Sequence, residues 1–209
     1  MQERIDCVVD DLMASLPRAE GLTAGERRGM IARFTAVLEG NFIYWMTGAY
    51  LAAGSDLARA IIVDNLHEEV RDCHPGMLRK FAVAAGAVPT DTDALAVSRS
   101  LSQVRLFIGR LSPVPIVVMM AFFEGFIQRF MAYLAELAQR QGSLEQEYTD
   151  VHGVCDVAHT KELFRALEAE MGRAHDSTRP EENVFEGVEL LRALIQDIVA
   201  KPDCSSVPQ

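Results

Sequence analysis

Helical periodicity runs almost unbroken through this chain, and no stretch alternates apolar and polar residues for long enough to make a half-buried strand. Gly and Pro punctuation divides the sequence into about seven pieces. The first runs from Gln2 to Leu16 and stops before Pro17. The second opens at Thr23-Ala24, with Thr23 as N-cap and Glu26 three residues on, and continues to Gly54. The third extends from Ser55-Asp56 to Gly86, with a disturbance expected at Pro75-Gly76. The remaining helices are expected at 92–110, 115–141, 144–172 and 183–200, with 176–182 as a loop. The expectation is an all-α, single-domain bundle of seven helices over residues 1–200, followed by a disordered polar tail at 201–209.

Composition removes several function classes. With 20 Lys+Arg against 30 Asp+Glu the net charge is −10, and no basic cluster offers a footprint for nucleic acid or an anionic membrane. The first residues, MQERIDCVVDD, carry acids where a secretory signal has a basic start and an apolar run. The most apolar run, Pro113 to Phe123, is 11 residues, short of the roughly 20 that a spanning helix needs. Cys7, Cys73, Cys155 and Cys204 are widely spaced, so neither a disulfide framework nor a zinc knuckle is suggested. A reduced, cytoplasmic setting is expected.

The chemistry gathers in two groups of histidines and acids. His152, Asp156 and His159 form an H-x3-D-x2-H run. At about 100° per residue, Asp156 lies about 40° from His152 and His159 about 20° the other way, so all three share one helix face. Two imidazoles and a carboxylate on one face suit iron or manganese, with zinc as a further option. The competing account is a polar face that happens to hold two histidines. Val154, Cys155, Val157 and Ala158 make the segment poor in surface charge, which favours the inward orientation. Glu124 stands in the apolar run IVVMMAFFEGFIQRF, where a lone carboxylate costs several kcal/mol unless paired, protonated or metal-bound. A structural ion pair with Arg105 or Arg129 is the plain alternative. On the third helix His74 is the natural ligand, but its acidic partner is open. Asp64 and His67 share its face on an ideal helix, whereas Glu69 does so only across a kink or bulge. Glu39, in FTAVLEGNFIYW, is a further acid in apolar surroundings. Carboxylates and histidines from four facing helices are how a bundle builds a two-metal, oxygen-reactive site. The ferritin-like form requires two E-x-x-H pairs, and this sequence contains none.

At these residues the chain resembles the heme-oxygenase-like diiron oxidases and oxygenases, which share their fold with heme oxygenase, the thiaminase-like proteins and pyrroloquinoline quinone synthase. The resemblance is carried by His152, Asp156 and His159, by Glu124 placed 28 residues before His152, and by Asn65-Leu66-His67-Glu68-Glu69 followed by His74-Pro75. It implies a seven-helix heme-oxygenase-like bundle with Glu69, His74, Glu124, His152, Asp156 and His159 as metal ligands. Glu69 and His74 stand closer together than is usual in the family, and Asp64 and Glu68 are rivals for the acidic ligand. Glu39 matches the position of an extra glutamate used by N-oxygenating members, so Glu39 and Glu124 are the candidate catalytic acids. The resemblance further implies two Fe(II) per chain, O2 as co-substrate and, where the chemistry needs one, an external reductant. The substrate is expected to be a small metabolite, commonly a free amino acid and sometimes a fatty acid, which is N-oxygenated, desaturated or cleaved. Arg71 and Arg105 are candidates for holding a substrate carboxylate. No nucleic-acid or membrane partner is expected, and a homodimer is compatible with the sequence.

Two other readings stand beside this one. A metal-independent, thiaminase-like hydrolase needs a nucleophilic cysteine on the long apolar helix, which has none. A non-enzymatic helical protein would use the His/Asp face to bind a partner or store metal. Heme oxygenase itself places its proximal histidine near the N-terminus, and the first histidine here is His67.

Overall fold

The computed structural model describes residues 1–174 and 183–200, with all side chains except those at 154–157 and 174. The loop expected at 176–182 and the tail at 201–209 lie outside the described residues. Among those described there are eight α-helices, one 3-10 turn and no strand. In chain order they are α1 (Gln2–Ala14), the turn Ala19–Gly21, α2 (Ala24–Ala52), α3 (Asp56–Arg71), α4 (His74–Ala84), α5 (Asp91–Ile108), α6 (Pro113–Gln139), α7 (Glu147–Ala174) and α8 (Glu186–Val199).

The helix starts follow local chemistry. Thr23 Oγ1 accepts from the Glu26 N–H at 3.2 Å, and the Thr23 N–H donates back to Glu26 Oε2 at 2.7 Å, closing the capping box. Thr90 and Asp93 do the same for α5, and Ser55 caps α3 through the Ala58 N–H.

The seven-helix expectation is corrected at the third segment, which is two helices. The break lies at Asp72-Cys73, upstream of Pro75-Gly76, because proline acts backwards along a helix. The Pro75 ring would collide with the carbonyl four residues earlier, on Arg71, and α3 ends at Arg71. Cys73 takes the left-handed conformation (φ 56°, ψ 43°), and Pro75 then sits in the first turn of α4, where a missing N–H costs nothing.

The long helices α2 and α6 form the centre of the bundle. α3, α4 and α7 pack on one side of them, α5 and α8 on the other, and α1 flanks α6. From Pro115 to Glu124 every residue of α6 is buried. Phe126 stacks on Phe130 at 4.9 Å, and Phe34 of α2 meets Phe130 at 5.5 Å. The helix continues well beyond the 11-residue apolar run, and at 27 residues it is long and apolar enough to cross a membrane. Yet 78% of its most apolar window is buried inside the bundle, which is how a central core helix is disposed. Arg33 of α2 anchors the end of α8, donating from Nε to the Ile198 carbonyl at 2.8 Å and from Nη2 to the Ala200 carbonyl at 2.7 Å.

Glu170 ties α7 to the start of α3. Its Oε1, deeply buried, accepts from the backbone N–H groups of Gly54 and Ser55 at 2.9 and 2.7 Å. Removing that acceptor leaves two donors unmet, so Glu170→Ala should cost about 2–4 kcal/mol in urea denaturation. Glu170→Gln keeps an oxygen in place and should cost about half as much. An equal loss in both variants would mean that the charge, not the acceptor, matters.

Candidate metal centre

Three helices contribute to a buried cluster of Glu69, His74 and His152, whose ligand atoms all lie within 4.8 Å of one another. Glu69 comes from the last turn of α3, His74 from the first residue of α4 and His152 from the first half of α7. On a regular helix the five-residue step from Glu69 to His74 leaves the two side chains about 140° apart. The left-handed residue at Cys73 removes that obstacle: His74 Nδ1 lies 2.7 Å from Glu69 Oε1. The same turn leaves Asp64 and His67 exposed on the outer face of α3.

His152 is oriented by its own helix. Its Nδ1 stands 2.9 Å from the Tyr148 carbonyl, which can only accept, so Nδ1 carries a proton and Nε2 is the nitrogen turned toward Glu69 and available to a metal once it is unprotonated. That Nε2 lies 3.7 Å from Glu69 Oε1, and the His74 and His152 rings meet edge to face at 4.5 Å. Two imidazoles and one carboxylate, all buried, form a nitrogen and oxygen donor set suited to iron, manganese or zinc.

Burial alone would push the Glu69 carboxyl up, but hydrogen bonds to His152 and His74 and the charge on those rings outweigh it and hold the group below the ordinary carboxylate range. A depressed folded value means that Glu69 stabilises the metal-free protein above the unfolded pKa of about 4.3, and that this contribution is lost as pH falls through the folded value. The stability gap between the wild type and Glu69→Gln, measured by urea denaturation without metal, should therefore shrink as pH is lowered below about 4. A gap that stays constant down to pH 3 would contradict the ionised, histidine-bonded carboxylate.

The other residues singled out from the sequence are placed as follows. Glu124 of α6, 3% exposed, lines the same pocket as Glu69, His74 and His152. His159 is buried on α7, with Nε2 at 2.8 Å from Glu68 Oε2. Neighbours on α3, Glu68 and Glu69 point about 100° apart and so serve different histidines. Asp156 belongs to α7, one turn beyond His152, and its side chain lies outside those described. Glu39 is half-buried and ion-paired with Arg79 of α4, and it does not line the pocket. Arg71 pairs with Asp72 at the surface, and Arg105 donates to Asn41 at 2.8 Å, so neither faces the cluster.

A partly open pocket lies over the cluster. Its apolar walls come from α2, α4 and α6, chiefly Leu38, Phe42, Leu78, Phe123 and Ile127. Sequence reasoning missed these wall residues, since nothing in a one-dimensional pattern separates a wall from ordinary core. It also missed Tyr148, which stands four residues before His152, one helical turn back, a spacing that was available to find it.

Neither curated proteins nor solved structures give a match to the chain. A family model does, over residues 32–192, a span that takes in most of α2, all of α3 to α7 and the first half of α8 and includes every residue of the cluster. Buried histidines and a carboxylate converging from three helices are donors that suit iron, and the chain belongs to the iron-containing redox enzymes.

Proposed function

We propose that this oxidoreductase is a non-heme diiron enzyme that uses O2 to oxidise a small metabolite, an amino acid or amino-acid derivative, by N-oxygenation, desaturation or C–C cleavage. The observation that carries the reading is the buried Glu69, His74 and His152 cluster at a partly open, mostly apolar pocket. Glu69, His74 and His152 would hold one iron. Glu124, with Asp156 and His159, would supply donors for a second, and Glu68 stands against His159 as a further carboxylate. Bound iron would supply activation of O2. The chain's own part is positional: the Tyr148 carbonyl fixes the His152 tautomer, and the apolar walls keep bulk water from the reacting groups. Glu124, which lines the pocket, would exchange a proton with the substrate, whereas Glu39 is ion-paired with Arg79 outside it. An external reductant, a cytoplasmic setting, a role in biosynthesis and a homodimeric assembly belong to the same proposal; nucleic acid and membrane do not.

The test is anaerobic titration with Fe(II) followed by exposure to O2 in a stopped-flow spectrometer, against a panel of amino acids and their derivatives. Two iron ions per chain and a substrate-dependent transient absorption in the visible are expected. Saturation at one ion per chain would remove the diiron element, and iron uptake with no O2 consumption would remove the oxygenase.

A further inference from the structure

We infer that Asn65 is a positioning residue of the metal centre: its side-chain amide donates to the Glu69 carboxylate once that group turns an oxygen toward a metal ion. This rests on the metal-centre reading above and assigns a role inside it.

The buried stripe of α3 runs through Ala58, Ile62, Asn65 and Glu69, at the three- and four-residue steps of one helix face. Asn65 fills a place on that stripe where an aliphatic side chain would pack, and it is 6% exposed. Its Nδ2 is buried and has no hydrogen-bond partner. Asn41 of α2 shows the usual solution for a buried amide: Nδ2 donates to the Val37 carbonyl at 2.7 Å, and Oδ1 accepts from Arg105 at 2.8 Å. A buried donor left without an acceptor is a standing cost to the metal-free fold. An orphan of this kind points to a partner acquired in another state, such as a group that has bound an ion.

Helix geometry sets the partner. Residues four apart are neighbours, so Asn65 stands one turn behind Glu69, on the side away from the break at Cys73. Both histidines approach a single oxygen of that carboxylate, His74 Nδ1 at 2.7 Å and His152 Nε2 at 3.7 Å from Oε1. Neither contact uses Oε2. Binding an ion places one carboxylate oxygen on the metal and leaves the other in need of a donor, and ligating carboxylates are as a rule held by such hydrogen bonds. Among the described residues Asn65 Nδ2 is the one orphaned buried donor on α3. Glu68, three residues on from Asn65, is the less eligible acceptor, because its carboxylate is partly exposed and already faces His159.

The full-length protein is titrated with Zn(II), which takes similar donors without redox chemistry. Affinity is read by competition with a chromophoric chelator, and metal-free stability by the urea midpoint. Asn65→Leu, which keeps the branched shape, should weaken Zn(II) binding by about 10–100-fold. It should leave the metal-free midpoint unchanged or higher, since the donor it removes had no partner. An amide that only supports the fold gives the opposite pair, a lower midpoint with unchanged affinity. In a Glu69→Ala background Asn65→Leu should weaken binding no further, because the group that Asn65 holds is gone. Asn65→Ala serves for the affinity measurements if the leucine variant does not fold. Unchanged Zn(II) affinity in Asn65→Leu, or an equal loss with and without Glu69, would overturn the inference. A wild-type protein that takes up neither Zn(II) nor Fe(II) sinks the metal-centre reading and this inference with it. Wild-type uptake that Asn65→Leu leaves unaltered sinks the inference alone.

Discussion

Replacing His74 or His152 with alanine should weaken Fe(II) binding by at least about a hundredfold, since loss even of a hydrogen-bonding partner behind a ligand costs 10–100-fold. Each substitution removes one of three donors that already lie within 4.8 Å of one another. The fold should persist, because both rings sit at the pocket floor and not within the aromatic stack of α6. Metal-free stability should fall by about 1–3 kcal/mol, since Glu69 is buried and loses a hydrogen-bond partner in either variant. Competition with a chromophoric chelator under anaerobic conditions reads the affinity, and circular dichroism reads the helix content. His67→Ala and Asp64→Ala, both on the exposed face of α3, are the controls and should bind as the wild type does. A loss below about tenfold for His74→Ala would exclude that residue as a ligand.

Metal binding should also slow amide exchange across residues 64–77 by about a thousandfold when free metal is a thousand times its dissociation constant, a stabilisation of about 4 kcal/mol. The α3–α4 junction is the weak point of the site. Cys73 holds a left-handed conformation that costs a non-glycine residue roughly 1–2 kcal/mol, and the N–H bond from Cys73 to the Val70 carbonyl is long at 3.4 Å. A metal ion held by Glu69, His74 and His152 would clamp both sides of that junction to α7, so the segment could open only after the ion leaves. Exchange in α5, which takes no part in the cluster, should not change. Hydrogen exchange with mass-spectrometric readout distinguishes the outcomes. Equal protection of 64–77 with and without metal would mean that the ion binds elsewhere.

Much of this protein is determined by its sequence alone. Helical period and capping chemistry act over a few residues, so Thr23, Ser55 and Thr90 mark where α2, α3 and α5 begin. The all-helical class follows from the same local pattern, and so does the shared face of His152 and His159 on one helix. The count of helices did not, because proline's reach to the carbonyl four residues back moved the break to Cys73, where no glycine advertised a left-handed residue. That single conformation chose Glu69 over Asp64 as the acid beside His74, a choice that an ideal helix makes the other way. Only the packing of α3, α4 and α7 brought Glu69, His74 and His152 within reach of one ion, and it separated Glu39, drawn to Arg79, from the pocket. The physical reason is range: a helix registers neighbours three and four residues away, whereas a site spread over four helices exists only once the core has set their spacing.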